Sequence, residues 1–176
     1  MRALLAAHEA VDERERASIA RVRVELDRLD APFDEHADPT HVTGSAVVVG
    51  PRGVLLHRHR KLRIWMQPGG HLDAGEQPWD AAVRETAEET GLAVAHPAGG
   101  PQLVHVDVHG GTPRLPHVHL DLRFLVFPSD DDDEPRPPPG ESQEVRWCSW
   151  AEAHDLADES LRGALVVSRR SLPLDR

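Results

Sequence analysis

Three carboxylates stand close together in one stretch of the chain, Gly70 to Leu92, which reads GHLDAGEQPWDAAVRETAEETGL. They are Glu85, Glu88 and Glu89. In a helix, spacings of three and four residues place all three on about one third of the circumference. Carboxylates crowded in this way repel one another, and some would protonate unless a cation neutralised them. A hard divalent ion with oxygen ligands suits such a group, so the spacing predicts a metal site.

Residue types on either side predict the elements that position these carboxylates. Pro78 suits the first turn of a helix, and Gly91 suits the left-handed position just after its end. Before the helix, the glycines of Pro68-Gly69-Gly70 let the backbone turn tightly and offer a carbonyl to a ligand or metal. An apolar stripe on the opposite side would hold the acidic face outward against a sheet. Its members are Trp79, Ala82, Val83 and Thr86.

A run of charges is more often an ordinary solvated helix face than a ligand set. A solvated face usually interleaves Lys or Arg four residues after a Glu, whereas Glu85 is followed at that distance by Glu89. Like charges at this spacing cost stability and indicate a compensating role. We therefore favour the metal site.

At these positions the sequence resembles the Nudix box, G-x5-E-x7-R-E-U-x-E-E-x-G-U, and the similarity extends over roughly residues 42 to 160. One position departs, because Thr86 stands where the family prefers a bulky aliphatic side chain, although that position contacts no ligand. Eight specified positions are far more specific than a lone glycine fingerprint. They are Gly70, Glu76, Arg84, Glu85, Glu88, Glu89, Gly91 and Leu92.

The resemblance implies an α+β fold, a Nudix-like α/β/α sandwich with a mixed β-sheet and the box helix at the catalytic edge. It implies hydrolysis of a diphosphate linkage in a nucleoside diphosphate derivative or a similar small diphosphate, with Mg²⁺ or Mn²⁺ as cofactor. The implied metal ligands are Gly70, Glu85, Glu88 and Glu89, and the implied catalytic set is Glu76, Arg84, Glu85 and Glu89. Glu76 and Arg84 would pair, and Glu89 is the expected base. Either Glu141 or Glu144 would supply the further carboxylate that the family often places before a late strand.

Two other functions on this fold stay open. Isopentenyl diphosphate isomerases carry a catalytic Cys before a His in the corresponding loop, but here Gln67 to His71 contains no cysteine and Cys148 lies far along the chain. Non-catalytic Nudix sensors, as in transcription regulators, usually add a basic DNA-binding domain and have degraded boxes. Every charged position of this box is intact, which favours an enzyme.

Composition bounds the remaining possibilities. With 176 residues and 39% hydrophobic content, we expect an N-terminal helical extension over 1–41 and a Nudix hydrolase domain over 42–176. A net charge of -10 argues against a nucleic-acid polymer or an acidic membrane surface as partner, but it allows a small anionic substrate. No apolar run is long enough to span a membrane and the start becomes acidic too early for a signal peptide, so we expect a cytoplasmic protein. Cys148 is expected to be a buried apolar residue.

Residues 1 to 30 show apolar side chains at spacings of three and four, which predict two helices or one broken helix. We interpret this segment as a cap packed on the domain, or as a homodimer contact, rather than as part of the substrate site.

The strands contribute further polar candidates. A predicted hairpin carries His57, His59 and Lys61 on one face, either near a phosphate or at a solvent-facing strand end. Two later segments, 103–109 and 118–127, alternate in period two, and as a hairpin they would join their polar faces into one patch. The patch comprises His105, Asp107, His109, His117, His119, Asp121 and Arg123.

For this patch we favour substrate contact, through His117, His119 and above all Arg123, whose planar fork can clamp a phosphate. Three alternatives remain. The patch could be a hydrogen-bonded polar face, it could bind a second metal of the kind that prefers imidazole, or Arg123 could form a salt bridge with Asp107 or Asp121.

Overall fold

The computed structural model describes residues 1–110 and 117–172. Its helices are α1 (Arg2–Ala7), α2 (Glu13–Arg28), α3 (Pro78–Thr90), α4 (Trp150–Leu156) and α5 (Glu159–Arg170). Its strands are β1 (Thr40–Gly50), β2 (Gly53–Arg58), β3 (Trp65–Met66), β4 (Gly69–His71), β5 (Val94–Ala95), β6 (Gln102–Gly110), β7 (Val118–Pro128) and β8 (Val145–Cys148). Among the described helices, none is long and apolar enough to cross a membrane.

The sheet is mixed and is built around the parallel pair β1 and β7, which run in register from Thr40 opposite Val118 to Val48 opposite Val126. The other pairings are antiparallel. β2 and β4 pair with different parts of β1, β6 and β5 pair with β7, and β8 and β3 pair with β2. The predicted hairpin of β1 and β2 and the mixed sheet are both confirmed.

Helices cover both faces of this sheet. On one face, apolar residues of α2 and α3 pack with alternate residues of β1 and β7, and the Trp79 ring meets Phe124 edge to face at 6.3 Å. On the other face, α4 and α5 pack on the intervening strand residues, which include Val47 and Val49. The predicted α/β/α sandwich is confirmed, and alternation along β1 assigns each of its residues to one layer.

The box helix forms as its flanking residues predict. Pro78 occupies its first turn, and Gly91 ends it with a φ of 72°, a left-handed conformation that favours glycine. Thr86, the departure from the Nudix pattern, is buried and donates a hydrogen bond from its hydroxyl to Ala82 O at 2.7 Å. The helix backbone thus satisfies the polar atom that replaces an aliphatic group, and the helix is kept.

The N-terminal segment forms two helices, as predicted, and contacts the sheet of its own chain. Glu15 of α2 is fully buried and accepts hydrogen bonds from Val106 N on β6 at 2.9 Å, from Val11 N at 2.7 Å and from His8 Nε2 at 2.7 Å. Arg14 donates to Asp107 of β6 at 3.1 Å. α2 therefore satisfies polar groups of a strand that pairs on its other side with β7. The division at residue 41 remains a prediction.

Candidate active site

The glycine loop lies directly between β1 and the acidic side of α3. A Cβ added at Gly69 would stand 2.3 Å from Ser45 Oγ on β1, and one added at Gly70 would stand 2.5 Å from a carboxylate oxygen of Glu85. Neither position has room for a side chain. The loop backbone is thereby brought against the Glu85 carboxylate, which is the contact that a shared metal site requires.

Arg84 joins the loop to the helix through several hydrogen bonds. Its Nε and one terminal nitrogen donate to the two oxygens of Glu76 at 3.0 and 2.9 Å, and the latter nitrogen also donates to His71 O at 2.8 Å. The other terminal nitrogen donates to Glu85 and Glu88, both at 2.9 Å. Hydrogen bonding to Glu76 and the charge of Glu85 raise the pKa of Arg84 above its usual range, so its charge is permanent. Arg84 therefore positions two predicted metal ligands.

Glu89 is the box carboxylate with the least compensated charge. It is largely buried and accepts a hydrogen bond from Gly69 N at 3.0 Å. Burial, together with repulsion from Glu85 and other carboxylates, raises its pKa to about 8. His57 Nε2 lies 3.8 Å away, but burial lowers the pKa of His57 to about 4, so this ring is neutral and gives no counter-charge. A cation beside Glu89 would favour its charged form.

The other two carboxylates complete an all-oxygen group. Burial raises the pKa of Glu85 as well, despite its contact with Arg84. The side chain of Glu88 is 58% exposed and touches Arg84, which leaves it room to rotate toward a shared ion. Carboxylate and carbonyl oxygens are the ligands that Mg²⁺ and Mn²⁺ prefer. The four predicted ligands, Gly70, Glu85, Glu88 and Glu89, therefore fit a hard divalent cation.

The two candidates for the further carboxylate differ in their surroundings. Glu144 accepts hydrogen bonds from Arg58 at 2.9 Å and Arg63 at 3.0 Å, and these contacts lower its pKa. Glu141 is close enough to Glu89 for its charge to contribute to the raised pKa of that residue. The arrangement favours Glu141 as the carboxylate that faces the box.

Two histidines of β2 and the turn after it were predicted to contact substrate. His57 lies beside Glu89, as described. The ring of His59 instead accepts hydrogen bonds at Nδ1 from the backbone N–H groups of Lys61 and Leu62, at 3.2 and 3.1 Å. His59 thus closes the turn over residues 59–62, and a contact with substrate remains a prediction for both rings.

The polar patch predicted on β6 and β7 forms, with Asp107 opposite Asp121 in the ladder. The turn that would join the two strands, at 111–116, lies outside the described residues. Arg123 is 4% exposed and donates to Asp121 at 2.9 Å and to Asp107 at 3.5 Å. α5 lies over His105, since a Cβ at Gly163 would be 2.8 Å from its Nε2. This placement favours the salt-bridge alternative, and substrate contact by Arg123 remains an untested prediction.

The opposite end of the patch holds a group that the sequence did not reveal. His117 and His119 lie beside His41 of β1 and His71 of β4. Between rings that contact each other, the centroids are 5.0 to 6.1 Å apart. His41 and His71 are distant in sequence from the other two. The pairing of β1 with β7 and with β4 brings them together, and no local pattern announces that pairing.

A glycine loop held by an arginine against an acidic helix, at the edge of an α/β/α sandwich, is the arrangement of a class of hydrolases. A family model described as NUDIX domain matches residues 39–167. The chain belongs to this family, whose characterised hydrolases act on pyrophosphate bonds.

Individual relatives agree. The chain is 30% identical to a bis(5'-nucleosyl)-tetraphosphatase (asymmetrical) of Caenorhabditis elegans, covering 64% of this chain and 78% of the relative. It is 32% identical to an RNA pyrophosphohydrolase of Rhizobium meliloti, over 61% of this chain and 67% of that one. A solved NUDIX-family hydrolase from Clostridium perfringens superposes with a TM-score of 0.58 at 28% identity, over 77% of this chain and 98% of that one.

Proposed function

We propose that this protein hydrolyses a diphosphate linkage within a nucleotide derivative or a similar small diphosphate, using Mg²⁺ or Mn²⁺. The observation that carries the proposal is the group of carboxylates, Glu85, Glu88 and Glu89, that Arg84 and the Gly69 N–H hold beside the glycine loop. Burial raises the pKa of Glu85 and of Glu89, which fits ligands that share a cation. The names of two relatives, a bis(5'-nucleosyl)-tetraphosphatase and an RNA pyrophosphohydrolase, both refer to phosphate groups carried by nucleotides, which supports this substrate class.

A divalent cation, when bound, supplies charge neutralisation for the phosphate oxygens and a water of lowered pKa. The chain's own residues hold and orient this chemistry. Arg84 fixes the loop through Glu76 and His71 and positions the carboxylates of Glu85 and Glu88. The Gly69 N–H holds one oxygen of Glu89, which we assign as the group that accepts the proton of the attacking water.

The isomerase alternative requires a reactive cysteine in the loop. Cys148 is instead fully buried on β8, within the core layer that α4 and α5 cover, and burial raises the pKa of its thiol. A buried, protonated thiol is a poor acid or nucleophile. This placement favours the hydrolase.

The decisive experiment assays a panel of nucleoside and dinucleoside polyphosphates with Mg²⁺ or Mn²⁺, comparing the parent with Glu88→Gln and Glu89→Gln. The amide keeps the shape and removes the ligand charge, so we expect kcat/KM to fall by at least about 100-fold, or about 2.7 kcal/mol, with the fold intact. Glu9→Gln, at an exposed position outside the site, is the matched control and should match the parent.

If both box variants kept turnover within about tenfold of the parent, a change of only about 1.4 kcal/mol, the metal assignment would be wrong. Tight binding of a nucleotide by the parent without any release of product would instead identify the non-catalytic sensor.

A further inference from the structure

A second group of metal-binding side chains lies apart from the box carboxylates, at the start of β1 and β7. His41 of β1 stands opposite His119 of β7 in the parallel ladder, and His117 comes just before β7. One ligand nitrogen from each of the three rings lies within 4.8 Å of the others. His41 is fully buried, whereas the other two are half-buried, so the group is closed on one side and accessible on the other. We call these three rings and His71 the histidine cluster.

The hydrogen bonding of His41 defines its tautomer. Its Nδ1 lies 3.1 Å from Asp38 O, and since a carbonyl oxygen can only accept, Nδ1 carries the proton. In the neutral ring Nε2 then holds the lone pair, and Nε2 is buried without a hydrogen-bond partner in the described part of the chain. A buried acceptor left in this state is costly, and metal-binding histidines are oriented in just this way by a backbone carbonyl.

A carboxylate supports His71, the fourth ring of the cluster, and another supports the adjacent His109. His71 Nδ1 lies 3.2 Å from a carboxylate oxygen of Glu35, and its Nε2 lies 3.3 Å from Nε2 of His119. His109, whose ring touches that of His119, is held at 3.2 Å by Asp107. A carboxylate on the far nitrogen fixes the orientation of an imidazole and raises its basicity toward a metal.

Neutral imidazole is the form that binds a metal, and a further ring of the cluster offers a nitrogen for it. His117 Nδ1 is a second buried nitrogen without a partner among residues 1–110 and 117–172. Two of the three rings therefore each have a buried nitrogen available to a metal.

We propose that His41, His117 and His119 bind a transition-metal ion of the zinc type, at a site separate from the carboxylate site of the hydrolase. Imidazole nitrogens select Zn²⁺ and its neighbours over Mg²⁺, which prefers oxygen. Zn–N distances are about 2.0 to 2.1 Å, so the three nitrogens draw closer when the ion binds, and His71 is the nearest group for a fourth position. The ion ties β1 to β7 beside the loop that carries Gly70.

The test uses tag-free, full-length protein freed of metal with a chelator and then saturated with Mg²⁺, which occupies the oxygen site. Zn²⁺ titrated by calorimetry should bind with one equivalent per chain, and Co²⁺ in its place should give the visible absorption of a nitrogen-ligated ion. His41→Ala and His119→Ala should each weaken Zn²⁺ binding by at least about 100-fold, the upper end of what losing a supporting partner costs.

His154→Ala removes an exposed histidine of α4 and is the matched control, with unchanged binding expected. Glu85→Gln/Glu89→Gln should also bind one Zn²⁺ equivalent, which separates this site from the hydrolytic one. Should a histidine variant fail to fold, the parent still tests the proposal through its Co²⁺ spectrum and a rise in melting temperature with Zn²⁺ in excess Mg²⁺. The proposal fails if the parent binds no Zn²⁺ in Mg²⁺, or if the histidine variants bind it as the parent does.

Discussion

Gly70 shows how strictly the atoms within a few ångströms of a single residue can limit which side chain fits there. Its Cα faces the carboxylate of Glu85, so its lack of a side chain decides whether loop and helix can share a ligand sphere. The spacing of the box predicted this position together with the acidic residues. Its reason becomes visible only in the structure, where a Cβ at this position would stand 2.5 Å from a carboxylate oxygen of Glu85.

Gly70→Ala should therefore displace Glu85 or the loop and lower kcat/KM by about 100-fold, the usual effect of a displacement of about 1 Å in a catalytic group. Gly99→Ala is the control, because a Cβ at Gly99 meets nothing within 4 Å. Steady-state assays of both variants, with circular dichroism to verify folding, make the comparison. Equal activity of the two variants would mean that the close contact has no catalytic importance.

The role of Arg123 could not be predicted from its residue type and position in the sequence. An arginine on a polar strand face could clamp an anionic substrate or form an ion pair within the protein. The alternation of polar and apolar residues along the strand does not show what covers the polar face. Tertiary contacts decide it, since Arg14 of α2 donates to Asp107, α5 lies against His105, and the buried Arg123 donates to both Asp107 and Asp121.

Arg123→Ala would leave the buried Asp121 without its charged partner and Asp107 with only Arg14 and His109, and we expect a loss of about 3 to 5 kcal/mol in the free energy of unfolding. Arg170→Ala, at an exposed position near the end of α5, should change stability by less than about 0.5 kcal/mol. Urea denaturation measures both. A large rise in KM with unchanged stability would instead restore the clamp.

At the scale of elements, the N-terminal helices have a structural role that their periodicity did not show. The pattern of apolar residues predicted two helices, and both are present. It did not predict that Glu15, an acid, would be fully buried and satisfy the backbone of β6. An unpaired strand edge invites association with other chains, and α2 protects β6 from it.

Glu15→Ala should remove three hydrogen bonds and leave the N–H groups of Val11 and Val106 without their acceptor, at a cost of about 3 kcal/mol or more. Glu9→Ala, an exposed acid between α1 and α2, is the matched control and should be close to neutral. Urea unfolding gives the free energies, and light scattering reports association. A variant as stable as the control would show that α2 is not needed on this edge.

The same residue predicts a pH dependence. Burial opposes ionisation of Glu15, but hydrogen bonds from His8 and the backbone outweigh it, so its pKa is lower in the folded state. Its contribution is therefore fully present above the unfolded pKa of about 4.3 and is lost as the pH falls through the folded value. The stability gap between the parent and Glu15→Ala should shrink below about pH 4. A gap that stays constant from pH 7 to about 3.5 would contradict this linkage.

At the scale of the whole molecule, the sequence allowed prediction of most elements, the sandwich and the acidic helix, because those depend on local periodicity and on the box. It did not allow prediction of contacts that depend on which strands pair. The histidine cluster is the clearest case, since His41 and His71 meet His119 only through the pairing of β1 with β7 and with β4.

The parallel pairing of β1 with β7 also determines how late in synthesis of the chain the middle of the sheet can form. Each β1 residue precedes its β7 partner by 78 positions, as Thr40 precedes Val118. At about 5 to 20 residues per second, a ribosome needs about 4 to 16 s to make the partner after β1 has been made. Throughout that interval the apolar segment Ala46–Val49 lacks its central neighbour, so the middle of the sheet is completed late in translation, after the box helix has been made.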